Sequence, residues 1–129
     1  MWMKILAVGA GGFLGAVCRF LISSLPLSER ISFPLLTLAV NFLGAVAIGA
    51  LAEIPRTSGS LMPTLQLFLK TGVCGGFTTF STFSLETMEL LQSGKTGMGI
   101  LYAALSVGCC LLGVLLGQVL VRTLRSALQ

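Results

Sequence analysis

The stretch Gly75 to Ser84 reads G-G-F-T-T-F-S-T-F-S and lies inside an apolar run long enough to cross a membrane. That placement constrains this chain more than any other feature. Each glycine costs a helix about 1 kcal/mol relative to alanine, so Gly75-Gly76 is a poor way to continue one. The hydroxyls of Thr78, Thr79, Ser81 and Thr82 need partners in a medium that offers no water. Phe80 and Phe83 have the spacing that puts two side chains on one helix face. A broken helix with polar backbone at membrane depth is tolerated where it is buried in protein or lines a cavity. The segment therefore reads as the working part of a membrane transport protein.

Composition agrees. The chain has 129 residues, of which 55% are hydrophobic and 9% charged, and its mean hydropathy is +1.00. Soluble domains carry about 25% charged residues. The length suits one domain, expected to occupy residues 1–129. Spans of the roughly 20 residues a bilayer needs are predicted near 3–25, 33–54, 62–92 and 97–121. The expected fold is an all-α integral membrane protein of four transmembrane helices, the third one broken. The first apolar run outlasts the h-region of a signal peptide and has no clear cleavage site.

The connections are short: Ser28-Glu29-Arg30 between Pro26 and Pro34, then Pro55-Arg56-Thr57-Ser58-Gly59-Ser60, then Ser93-Gly94-Lys95-Thr96-Gly97. All are turn-type clusters and none holds a soluble domain, so the chemistry must lie in the membrane. With four spans, Lys4, Arg56, Arg122 and Arg125 fall on one side, and Arg30 and Lys95 on the other. This slight bias places both termini in the cytoplasm and is weak enough to allow insertion both ways. Basic residues at helix ends fit lipid head groups better than nucleic acid.

Cys18, Cys74, Cys109 and Cys110 match no zinc or redox spacing, and histidine is absent; they read as small, buried packing residues. Small residues recur four apart, as in Gly11/Gly15, Ala45/Gly49 and Gly113/Gly117, which lets helix backbones approach closely in lipid. Four thin helices enclose little of a pore alone, so an oligomer is expected.

Polar residues at membrane depth are few. Asn41 is alone in an apolar setting and reads either as helix–helix glue or as a ligand group. Arg19 can snorkel to the interface or serve the site, and Lys70, about a turn and a half before the glycines, can likewise snorkel. Tyr102, Ser106 and Cys110 share one helical stripe. Glu86 and Glu89 fall toward the end of the third span, near water. No carboxylate ring for cations is evident. The donors at depth are an amide, several hydroxyls and phenylalanine ring edges, which are electropositive. Together they suit an anion path of weak, multiple contacts.

At these residues the chain resembles the Fluc (CrcB) fluoride channels. The matching patterns are G-G-F-L-G-A-V-C-R-F from Gly11, N-F-L-G-A-V-A-I-G from Asn41, and G-V-C-G-G-F-T-T-F-S-T-F from Gly72. With the length and four-span layout, the resemblance covers essentially the whole chain. It implies a fluoride-selective channel, not an enzyme, that exports cytoplasmic fluoride passively across the inner (plasma) membrane. It also implies an antiparallel, dual-topology homodimer with two pores along the interface. Phe80, Phe83 and Asn41 match pore residues of that family, and Ser81 and Thr82 match hydroxyls near the fluoride path. Arg19 matches an arginine near the pore mouth, and Tyr102 and Ser106 match the start of a polar track. Cys110 and Val114 stand where that track favours hydroxyls. A central structural sodium ion is implied, held by backbone carbonyls matching Gly75 and Thr78.

Two other classes compete. A small four-helix proton-coupled exporter of organic cations needs a membrane-buried carboxylate, for which Glu53 and Glu86 are the candidates, both near span ends. A membrane interaction subunit without transport leaves the broken third helix unexplained.

Overall fold

The computed structural model describes residues 1–26, 32–58 and 62–128, with the backbone alone for 56–58. The expected turn Ser28-Glu29-Arg30 lies outside these residues. So do Gly59, Ser60 and the side chain of Arg56, and with Arg30 and Arg56 part of the charge count. Among the described residues the chain is helical, without strands.

Among the described residues three helices are long and apolar enough to cross a membrane: α1 (Trp2–Ser23), α2 (Leu35–Ser58, apolar as far as Pro55) and α6 (Thr96–Ser126). Their surfaces leave large apolar side chains such as Trp2, Phe13, Phe20 and Leu116 exposed, which suits contact with lipid rather than water. The chain is thus a multi-pass membrane protein. Helix α2 runs through Pro55, so the turn expected from Pro55 starts later. Proline there removes a single hydrogen bond, to the carbonyl of Leu51, close to the helix end. Helix α6 has 31 residues and is about 46 Å long at 1.5 Å per residue. That exceeds a hydrocarbon core of about 30 Å, so Arg122 and Arg125 emerge at its far end.

The segment between them is built in pieces. α3 (Pro63–Gln66) leads into a π-helical stretch, Leu67–Cys74, then α4 (Gly75–Phe77) and, after two extended residues, α5 (Phe80–Gln92). The expected interruption at Gly75-Gly76 is corrected. Gly75 is helical (φ −65°, ψ −37°), and the chain leaves helical geometry at Thr78 (ψ 157°) and Thr79 (φ −147°, ψ 111°).

What the glycines do instead is admit neighbours. A Cβ on Gly76 would collide with the carbonyl oxygen of Gly12, and one on Gly15 with that of Val73. On the opposite side Gly49 abuts the Val114 carbonyl and Gly117 the Val46 carbonyl. The four-apart small residues therefore make two backbone-close pairs: α1 with Leu67–Phe77, and α2 with α6. Within each pair the helices run parallel, since Gly11 faces Gly72 and Gly15 faces Phe77, while Ala45 faces Gly113 and Ala50 faces Gly117. Of the cysteines only Cys74 is buried; Cys18 is exposed and Cys109 and Cys110 are intermediate. The packing role expected of all four thus holds, within one chain, for Cys74.

Candidate functional site

Breaking a helix leaves orphan donors and acceptors, and in lipid each must be met. Thr78 turns its own hydroxyl back onto the Cys74 carbonyl (2.9 Å), which also takes the Thr78 N–H (3.0 Å). Asn41 of α2 reaches across with both ends of its amide. Its Nδ2 donates to the Thr79 carbonyl (3.0 Å), and its Oδ1 accepts from the Thr79 N–H (2.7 Å). In a continuous helix that N–H would bond the Gly75 carbonyl, four residues earlier. The Gly75 carbonyl is thereby released, beside a position where an added Cβ would meet nothing within 4 Å. Arg19 of α1 donates through Nε to the Gly76 carbonyl at 3.2 Å.

Thr79 then starts α5 as its N-cap. Its hydroxyl accepts from the Thr82 N–H (3.2 Å) and bonds the Thr82 hydroxyl (2.9 Å), with Ser81 Oγ at 3.3 Å. This is the short polar side chain that helix N-termini favour. Phe80 and Phe83 follow on one face, with ring centroids 5.3 Å apart. Phe83 in turn stands 5.4 Å from Tyr102 of α6, and Tyr102 meets Phe33 edge-on at 5.4 Å. An aromatic file thus crosses from α5 to α6. Its outer member, Phe80, is 78% exposed and Tyr102 is fully buried.

Between α2, the Lys70–Phe83 segment and α6 lies an open groove of about 630 Å³, with largely apolar walls. Asn41, Gly75, Thr78, Phe80, Phe83 and Ser106 all line it. The structure therefore gathers six of the candidate residues along one surface. Ser106 is buried, and its Oγ has no hydrogen-bond partner. The remaining candidates stand around the groove. Arg19 is behind the interruption, on the α1 side. Tyr102 is behind Phe83. Ser81 and Thr82 cluster about Thr79. Of the two residues expected to depart from the polar track, Cys110 and Val114, both line the groove.

One cluster escaped the sequence reading. Glu86, expected near water, accepts from the Thr37 hydroxyl through Oε1 (2.7 Å) and from the Tyr102 hydroxyl through Oε2 (2.6 Å). The available signal was its spacing: Glu86 is one helical step beyond Phe83, on the face that meets Tyr102. Glu53, 4% exposed, is held by Arg122, whose Nε and Nη2 donate to its two oxygens at 2.9 and 3.2 Å. A paired base at the end of α6 explains how a carboxylate is kept in α2. Neither Glu53 nor Glu86 is the unpartnered buried carboxylate that a proton-coupled exporter needs.

Residues 6–118 match the family model described as CrcB-like protein, Camphor Resistance (CrcB). The chain is 46% identical over 125 residues to the fluoride-specific ion channel FluC of Ruminiclostridium cellulolyticum, covering 96% of each chain. It is 47% identical over 120 residues to the FluC of Clostridium perfringens (92% of this chain, 94% of that one). With the FluC of Rhizobium meliloti it shares 45% over 121 residues (93% and 97%).

Proposed function

Because this chain belongs to the CrcB family, we propose that it is a fluoride-specific channel, a passive exit for cytoplasmic fluoride through the inner (plasma) membrane. The observation that carries this reading is the end-to-end match, over 96% of both chains, to a relative named as such a channel. The groove adds chemical support. Fluoride is small and strongly hydrated, so its path must replace water with several weak donors. The Ser106 hydroxyl is buried without a partner, Phe80 presents its ring outside the fold, and Asn41 and Phe83 line the same surface. Both candidate carboxylates of a proton-coupled exporter are engaged, Glu53 by Arg122 and Glu86 by Thr37 and Tyr102, which favours the channel reading.

A single chain leaves the groove open along one side. In our reading a second, antiparallel copy closes it, giving a dual-topology homodimer with two pores, each walled by both subunits. Two-fold symmetry makes such an interface self-complementary. Phe80, exposed in one chain, would then meet the partner across the pore. The broken third span is read as the centre of that assembly. The Gly75 carbonyl, released by the Asn41–Thr79 pairing on a residue that lines the groove, would suit a hard monovalent cation. Gly75 and Thr78 would hold a structural sodium through their carbonyl oxygens. Bound there, the ion would neutralise carbonyl dipoles and join the two breaks.

The test is fluoride efflux from liposomes containing the purified protein, with chloride as the control anion. Fast fluoride release with no chloride release is the expected result. Equal release of both anions, or release of neither, would overturn the assignment.

A further inference from the structure

Among the described residues Lys70 is the one charged residue lining the groove, and the site described so far gives it no task. It is half-buried in the π-helical stretch and forms no hydrogen bond or ion pair among the described residues. Its place along the groove follows from the packing. Asn41 and Gly44 stand at the level of Thr78 and Thr79, and consecutive spans reverse direction. Lys70 is eight residues before Thr78, about 12 Å along a helix at 1.5 Å per residue. It therefore belongs to the other end of the groove, with Ile48 and Val114. At that end Thr71 is the one hydroxyl among the described lining residues. On α6 the lining stripe runs Ser106, Cys110, Val114, so α6 offers no O–H donor beyond Ser106.

We propose that Lys70 is the anion-concentrating residue of the groove's outer half, supplying by its charge the attraction that Cys110 and Val114 cannot supply by hydrogen bonds. This rests on the reading of the groove as a fluoride path. An unpaired cation between low-dielectric walls raises the local concentration of anions and hence their rate of entry. An ammonium on a flexible stem acts over distance without gripping the ion, which suits conduction. The role is electrostatic positioning, so salt must weaken it. The Debye length shrinks from about 30 Å at ~0.01 M to about 3 Å at ~1 M.

The experiment compares wild type with K70Q, K70M and K70R, measuring fluoride efflux from liposomes at low and high sodium gluconate. K70M keeps the apolar stem if K70Q assembles poorly. Removing the charge should lower flux roughly 3–5-fold at ~10 mM salt and less than about 1.5-fold at ~1 M, as Coulomb attraction and its screening require. K70R should restore wild-type flux and its salt dependence. Equal flux from wild type and both neutral variants at ~10 mM salt would overturn the assignment and leave the channel reading intact. So would a loss that ignores salt and is not restored by arginine, since that is a packing defect. A wild-type protein that conducts no fluoride would overturn the channel reading itself, and this one with it.

Discussion

Asn41 and Thr79, 38 residues apart, exchange two hydrogen bonds: amide nitrogen to carbonyl at 3.0 Å, and backbone N–H to amide oxygen at 2.7 Å. This pairing is the structural reason the chain can leave helical geometry at membrane depth. It satisfies the orphaned Thr79 N–H and adds a second donor to the Thr79 carbonyl, which as the N-cap carbonyl already accepts the first bond of α5. In doing so it releases the Gly75 carbonyl on one side and seats the N-cap of α5 on the other.

Asn41→Ala should therefore damage fold and function together. The Thr79 N–H loses its partner in a medium without water, the Thr79 carbonyl loses one of its two donors, and an interhelical hydrogen bond in membranes is worth about 1–2 kcal/mol at most. We expect a lowered melting temperature in detergent and a loss of fluoride flux of tenfold or more, on the order of 1.4 kcal/mol in the barrier. Asn41→Asp keeps the acceptor for the Thr79 N–H but not the donor. It should melt between wild type and alanine and still conduct poorly. A melting temperature and flux unchanged in Asn41→Ala would remove the residue from both roles.

Phe80 and Phe83 separate function from stability more cleanly. Phe80 is largely exposed in the chain, and Phe83 is packed on Tyr102. Replacing either by isoleucine keeps apolar bulk and deletes the electropositive ring edge. Phe80→Ile and Phe83→Ile should each sharply reduce fluoride efflux while the protein elutes at the same size. Wild-type efflux in either variant would exclude that ring from the ion path.

Gly117 tests the packing that builds the groove's floor. An added Cβ would collide with the Val46 carbonyl oxygen and come within 2.7 Å of the Ala50 nitrogen. Backbone cannot step aside as a side chain can, so Gly117→Ala should destabilise by about 1–3 kcal/mol, the range for overpacking. Gly108→Ala, where nothing lies within 4 Å, is the control and should hold or raise the melting temperature, since alanine is the better helix former. Equal melting temperatures for both variants would show that α2 and α6 separate without cost.

How much of this was legible beforehand depends on whether the cause was local. The apolar spans were, because length and hydropathy are properties of contiguous sequence. The small-residue pairs were, because four-apart spacing is local too. The location of the break was not. Gly75-Gly76 looked like its cause, yet Gly76 is there to let Gly12 approach. The backbone turns at Thr78 and Thr79, where Asn41 arrives from another helix. The partners of Glu86 were hidden for the same reason: Thr37 is 49 residues away and Tyr102 is 16 away. The groove residues Asn41, Phe80, Phe83 and Ser106 were found by their chemistry, since polar groups at membrane depth are rare and conspicuous.

Orientation is open to a direct test. If two copies insert antiparallel, tags on both termini should be accessible from each side of the membrane, in comparable amounts. Added lysines at Ser93 and Gly97 should shift the population toward one orientation, because positive loops favour the cytoplasm. One orientation in every molecule would defeat dual topology.

The last prediction concerns the cation. The Gly75 carbonyl has lost its helical donor to Asn41, and the space beside Gly75 is open. The Gly76 carbonyl, by contrast, is occupied by Arg19, so the two neighbouring oxygens have different fates. A hard cation prefers carbonyl oxygens, and those of Gly75 and Thr78 from two chains would surround it at the two-fold axis. Replacing sodium by a large organic cation on both sides should lower fluoride flux and weaken the dimer, read by elution volume. Both should recover when sodium is returned. Gly75→Val should mimic sodium removal without abolishing folding, because a side chain there fills open space before it meets any atom of its own chain. Full flux and an intact dimer after exhaustive sodium removal would leave these carbonyls as packing features alone, with no ion between them.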